Sequence, residues 1–175
     1  MKSYKSSNTS DMKHYVTGVV FSWRWWLLAA IIVLPWVFWL LWHQKHSTSR
    51  LLFVGFACII VAFLVDALGT AFRLWEYPIE ILPYMPPLIR WDTTLLPVSV
   101  MVFLQYKPDV NRIIKAAVFA ALGAFMIEPG AELLGLYKPI LWKHVYSFPF
   151  FAALYLSMDW LSRRGQFDLI NTRNQ

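Results

Sequence analysis

Ile127-Glu128-Pro129-Gly130-Ala131-Glu132-Leu133 lies inside the run Ile113 to Tyr137, which is otherwise apolar enough to cross a bilayer. Two carboxylates four residues apart share one face of a helix. The proline between them removes a backbone donor in surroundings that tolerate little loss. A carboxylate at membrane depth costs a few kcal/mol or more unless it is paired, solvated or protonated. The polar residues elsewhere are therefore read by whether they can reach Glu128 and Glu132.

The composition sets this stretch in a membrane. The 175 residues are 58% hydrophobic and 18% aromatic with only 15% charged, a balance foreign to a soluble domain of this length. Trp25, Trp26, Trp42, Trp75, Trp91, Trp142 and Trp160 cluster at the ends of apolar runs, as an aromatic belt at headgroup level requires. The net charge of +6 comes from tails and short loops, so anionic lipid headgroups, not nucleic acid, are the expected partner. The single cysteine, Cys58, falls mid-span and reads as packing.

Outward from the acidic stretch, the chain divides into a polar N-terminal tail (1–24), a transmembrane domain (25–162) and a polar C-terminal tail (163–175). The first span, Trp25 to Trp42, has 18 residues, about 27 Å of helix at 1.5 Å per residue, and is too long and Trp-rich for a signal peptide. Leu51 to Phe72 is the second span. Asp66, Gly69 or Thr70, and Arg73 share one stripe at its end, where Arg73 can pair or snorkel. Leu74 to Pro87 holds four prolines yet is too apolar for a solvated loop, and reads as an interfacial lid. The third span starts after Pro87, with Arg90 and Asp92 in its first turns, and ends at Tyr106. Ile113 to Leu136 is the fourth and Ser147 to Leu161 a short fifth.

With five spans, the ends of spans two and four, the starts of spans three and five, and the lid share one membrane face. Asp66, Arg73, Glu76, Glu80, Arg90, Asp92, Glu128, Glu132, Lys143 and His144 gather there, while Gln105, Lys107, Arg112, Lys115 and Asp159 lie on the other. Three readings fit the acidic face. Asp66 with Arg73, or Glu128 with Arg90, can be ion pairs that lock helices together. Alternatively the face is a polar pocket for a proton, a small cation or a lipid headgroup, since intramembrane acids are functional candidates by default. A metal held by Glu128, Glu132, Asp66 and His144 is the third, although no tight ligand motif is present. No mid-span lysine, facing histidines, phosphate-cradling loop or catalytic serine motif occurs, and no cofactor is expected. Discounting the remote Lys2 and Lys5, Lys and Arg lean slightly toward a cytoplasmic C-terminus.

Asp66-x-x-Gly69, Trp75-x-Tyr77-Pro78, Leu96-Pro97, Gln105 ahead of a charged turn, and Tyr137…Trp142-x-His144-x-x-Ser147 resemble an uncharacterised family of small multi-spanning membrane proteins common in spore-forming Bacilli and Clostridia. The resemblance covers roughly Leu51 to Trp160 and implies about five spans in a bacterial cell membrane. It carries no established activity, so no catalytic role transfers.

The expected protein is all-α, a polytopic transmembrane helical bundle of about five spans in the cell membrane, with a proline-rich lid over a polar pocket. Asp66, Arg73, Trp75, Glu76, Tyr77, Arg90, Asp92, Glu128, Glu132 and His144 are its candidate ligand-binding residues. In this scheme the glutamates are acceptors, Arg73 and Arg90 counter-charges, and Trp75, Tyr77 and Tyr84 the lid. The leading function is binding or transport. A membrane-embedded enzyme acting on a lipid or isoprenoid is the runner-up, and a structural subunit with a protein partner, or a homo-oligomer, the third.

Overall fold

The computed structural model describes residues 22–43, 45–78 and 91–164. Helix α1 (Trp23–Trp42) starts at Ser22, whose hydroxyl accepts the Trp25 N–H at 3.3 Å and satisfies one orphan donor of the first turn. A short 3-10 turn leads into α2 (Thr48–Ala71). Then follow α3 (Trp91–Gln105), α4 (Arg112–Leu133) and α5 (His144–Arg164). Two short strands, β1 (Trp75–Glu76) and β2 (Lys138–Pro139), complete the described elements.

The buried residues of α2 are Leu51, Val54, Gly55, Cys58, Ala62, Asp66 and Gly69. Their spacing of three and four makes a single stripe, and most are small. Small side chains let neighbouring helices approach closely, the chief source of packing energy where lipid competes with apolar contacts. Asp66 lies on that stripe, so the helix's own periodicity buries it. On the other sides of α2, Phe53, Phe56, Ile60, Leu64 and Leu68 are exposed, as are Val33, Leu34, Val37, Phe38, Leu40 and Leu41 of α1. So broad an apolar surface would drive association in water, whereas lipid solvates it.

Three helical stretches are long and apolar enough to cross a membrane: Trp25–Trp42, Lys45–Ala71 and Arg112–Leu133. The described α3 is 15 residues long, and α5, at 21 residues, is interrupted by Ser147, Ser157 and Asp159. Helix α3 packs between α1 and α2, while α5 packs between α2 and α4. Val54, Cys58 and Val100 meet Phe119, Leu154, Tyr155 and Met158 in the main core.

Helix α4 is not uniform. Regular helix over Arg112–Leu122 passes through a π turn at Gly123–Ile127, in which the Glu128 N–H bonds the Gly123 carbonyl, and resumes over Glu128–Leu133. In a regular helix the Pro129 ring would meet the carbonyl four residues before it. The wider turn moves that carbonyl aside and absorbs the missing donor. The fourth apolar helix therefore ends at Leu133, not Leu136, with Gly135 in the left-handed region (φ 71°) returning its N–H to the Glu132 carbonyl at 2.9 Å. The last helix begins at His144, three residues ahead of the expected Ser147, because Glu128 and Glu132 supply partners to a first turn that composition alone marks as loop.

The segment after α2 doubles back. Arg73 adopts φ 55°, its N–H bonds the Thr70 carbonyl at 3.1 Å, and Leu74 N–H reaches the Gly69 carbonyl at 2.8 Å. Strand β1 then pairs antiparallel with β2, Trp75 opposite Pro139 and Glu76 opposite Lys138. The Leu74 carbonyl accepts from the N–H groups of Ile140, Leu141 and Trp142 at 2.9–3.1 Å. This clasp ties the α2–α3 connection to the α4–α5 connection and pairs backbone groups that hydrocarbon would leave unsatisfied. Of the expected lid, Leu74 to Pro78 lies in the clasp segment and residues 79–87, with Glu80 and Tyr84, lie outside the described residues, as does Arg90.

Gly69 makes the clasp's approach feasible, since a Cβ there would overlap the Trp75 ring. Gly130, in contrast, has open space around it. Gly69→Ala is expected to cost about 1–3 kcal/mol by overpacking and to lower the melting temperature in detergent, whereas Gly130→Ala leaves it unchanged or slightly raised. Equal melting temperatures for Gly69→Ala and the parent protein would contradict this packing.

Candidate functional site

Asp66 is 3% exposed. Its Oδ1 accepts the Trp75 indole N–H at 2.9 Å and the Tyr77 hydroxyl at 2.6 Å. Both donors come from the doubled-back segment, so the clasp and the buried carboxylate are one construction. Hydrogen-bond partners of this kind are what a buried acid needs to offset its loss of water.

Glu128 is held from the other side of the bundle. Its Oε2 accepts the Ser147 hydroxyl at 2.7 Å and lies 3.1 Å from His144 Nδ1. Ser147 itself accepts the Trp142 indole N–H at 2.8 Å. The other ring nitrogen, His144 Nε2, sits 2.9 Å from Glu132 Oε2. Side chains thus run in series from Trp142 through Ser147, Glu128 and His144 to Glu132. Glu128 is nearly buried, whereas the Glu132 side chain is 46% exposed, so the series leads from the interior to the surface.

An imidazole donates from both nitrogens only as imidazolium. His144 precedes the apolar run from Ser147, and its ring is a quarter exposed. Burial works against its charge, but hydrogen bonds to Glu128 and Glu132 and the charges of both outweigh burial, so His144 titrates above its ordinary range.

Asp66, Glu128, Trp75, Tyr77, Trp142 and Ser147 line one cavity of about 90 Å³, with Tyr137, Phe150 and Phe151 completing its aromatic wall. That is several times the roughly 10–15 Å³ that one water needs. Four sequence-derived site residues therefore meet in one chamber, and Glu132 and His144 connect it to the surface. Others do not join them. Arg73 is exposed and makes no ion pair with Asp66, because its left-handed backbone carries it away from the stripe while Trp75 and Tyr77 fold back to take that place. Glu76 bonds Lys138 at 2.6 Å across the exposed clasp. Arg90 and the Asp92 side chain lie outside the described residues. Among the described residues no three His, Cys, Asp or Glu side chains converge where a metal ion could sit; the two glutamates occupy both nitrogens of His144 instead.

The chemistry of Ser147, Trp142 and Tyr137 does not mark them as site residues in the sequence. Their signal was the spacing Trp142-x-His144-x-x-Ser147, which puts His144 and Ser147 on one face of a helix whose start was hidden. Apolar helices of membrane-spanning length that expose broad apolar faces are the properties of a helical membrane protein. Compared with known proteins, the chain matches no family description, no curated protein and no solved structure.

A raised His144 contributes stability that is fully present below its unfolded-state pKa and is lost as pH rises through the folded value. The melting-temperature gap between the parent protein and His144→Gln is therefore expected to be widest below about pH 6.5, the ordinary histidine value, and to narrow as pH rises above it. A gap independent of pH would show that the charged bridge does not form.

Proposed function

We propose that this is a five-span protein of the bacterial cell membrane whose acidic chamber binds a small cationic group, an ammonium above all, in a binding or transport role. The observation that carries the reading is that Asp66 and Glu128 line the same aromatic-walled cavity while His144 links Glu128 to exposed Glu132. Carboxylates supply charge that acts strongly in a low-dielectric site. The faces of Trp75, Trp142, Tyr77 and Tyr137 add the quadrupole attraction that favours ammonium groups. The His144 link gives Glu128 a path for exchanging a proton with the surface, so arrival of a cation can be coupled to departure of a proton. The slight excess of Lys and Arg at the other end supports a chamber that faces the outside of the cell. The resemblance carried by Trp75-x-Tyr77-Pro78 and Trp142-x-His144-x-x-Ser147 supports the five-span topology and the bacterial membrane.

One observation favours a second reading. Glu128 also lines an apolar crevice of about 90 Å³ with Leu95, Leu96, Phe103, Phe119 and Ile127, where an acyl or isoprenoid chain could lie beside a general acid or base. In that case the protein is an enzyme acting on a lipid or isoprenoid.

Titration of the purified protein with tetramethylammonium, followed by tryptophan emission and calorimetry, separates the two. Saturable binding is expected, weakened about tenfold or more in Asp66→Asn and in Glu128→Gln without loss of helical circular dichroism. Undiminished affinity in both variants would sink the cation reading. Glu128-dependent conversion of a co-purifying lipid would establish the enzyme instead.

A further inference from the structure

The end of the bundle away from the acidic chamber holds a second cavity, about 250 Å³ and lined by the opposite charge. Arg50 and Ser47 reach it from the start of α2, Arg112 and Lys115 from the start of α4, and Asp159 and Arg163 from the end of α5. Four cations surround one carboxylate. Asp159 gives both oxygens to Arg163, Nε to Oδ2 and Nη2 to Oδ1 at 3.0 Å each, and its charge also acts on Lys115, but the four cations still outnumber it. Lys115 is held by the Tyr106 carbonyl at 2.8 Å. Arg50 and Arg112 form no ion pair or side-chain hydrogen bond among the described residues.

Like charges brought together around a hollow repel one another, and the arrangement is relieved when an anion fills it. Cytoplasmic charge as such needs only exposed lysines and arginines, with no cavity. Here the cations converge from three helix ends, Arg163 is fixed in a bidentate clamp, and the N-terminal ends of α2 and α4 add partial positive charge on the same side. The volume is smaller than the roughly 300–1,000 Å³ of drug-sized sites and suits a compact group. Guanidinium forks match the geometry of phosphate oxygens.

We propose that this basic cavity is a phosphate-binding site at the cytoplasmic membrane surface, taking a phosphate carried on an anionic lipid or free in solution. It is independent of the acidic chamber and stands whether or not that chamber binds cations. Arg50 and Arg112 supply the ligand's main hydrogen bonds, while Asp159 acts as a positioning residue by orienting Arg163.

Native mass spectrometry of the full chain in detergent, with phosphatidic acid or phosphatidylcholine of the same acyl chains, tests the site. Phosphatidic acid is expected to be retained about tenfold or more over phosphatidylcholine. The double variant Arg50→Gln/Arg112→Gln is expected to lose that preference. Both residues are exposed and form no ion pair among the described residues, so the fold stays intact. Lys45→Gln/Lys107→Gln removes the same charge from the same end but outside the cavity, and is expected to retain the preference. Inorganic phosphate titrated against the lipid complex identifies the source. Displacement at low concentration, with phosphate binding alone, marks a free-phosphate site, and lipid retained against phosphate marks a headgroup site. The proposal is overturned if neither ligand binds, or if the cavity variant and the control behave alike.

Discussion

The hydrogen bond from the Trp75 indole to Asp66 holds the structure to one arrangement. It requires Asp66 on the inner stripe of α2, a glycine at position 69 to admit the ring, and a reversal at Arg73 to bring the indole back. Each element alone would be unfavourable in a membrane: a buried acid, an exposed stretch of backbone, a large polar-edged ring. Together they satisfy one another. The same reversal places the Leu74 carbonyl where three successive N–H groups from the α4–α5 connection converge, so the acid also organises a segment some seventy residues further on.

The bundle is electrically lopsided along its length. At one end Asp66 and Glu128 accept from an indole, two hydroxyls and an imidazole among the described residues, and at the other cations crowd a single carboxylate that one arginine already occupies. Between them lies a core of small and aromatic side chains in which Phe103, Phe119, Phe151 and Tyr155 meet mainly edge to face. Such rings fill space without adding charge. The middle is therefore apolar, and the charged side chains gather toward the two ends, where helices start and stop.

Much of this was legible in the sequence because membrane helices obey coarse rules. Apolar length located the helices, and alternation of sides put Asp66, Glu128 and His144 at the same end. What length and alternation could not show was partner choice. Asp66 has an arginine seven residues on, and charge complementarity points to it, yet the left-handed turn at Arg73 delivers an indole and a phenol instead. Ser147 reads as the first residue of an apolar run, and only the folded helix start shows it as the donor that fixes Glu128. The basic cavity was hidden for a related reason. Arg50, Arg112, Lys115 and Arg163 are far apart in the chain and look like ordinary loop charge until three helix ends are brought together.

The π turn in α4 has a consequence for how this protein can change over time. Ala116, Ala120, Ala124 and Glu128 recur every four residues on the buried side, and in a regular helix that repeat drifts by about 40° at each step. One surplus residue in the turn resets the drift. A lineage that shed that residue would restore ordinary turns and leave Glu128 facing inward, since its N–H would then bond the same Gly123 carbonyl at helical spacing, but the Pro129 ring would meet the carbonyl four residues before it. The surplus residue and Pro129 are thus tied together: a helix that loses the one is free of strain only if it also loses the other.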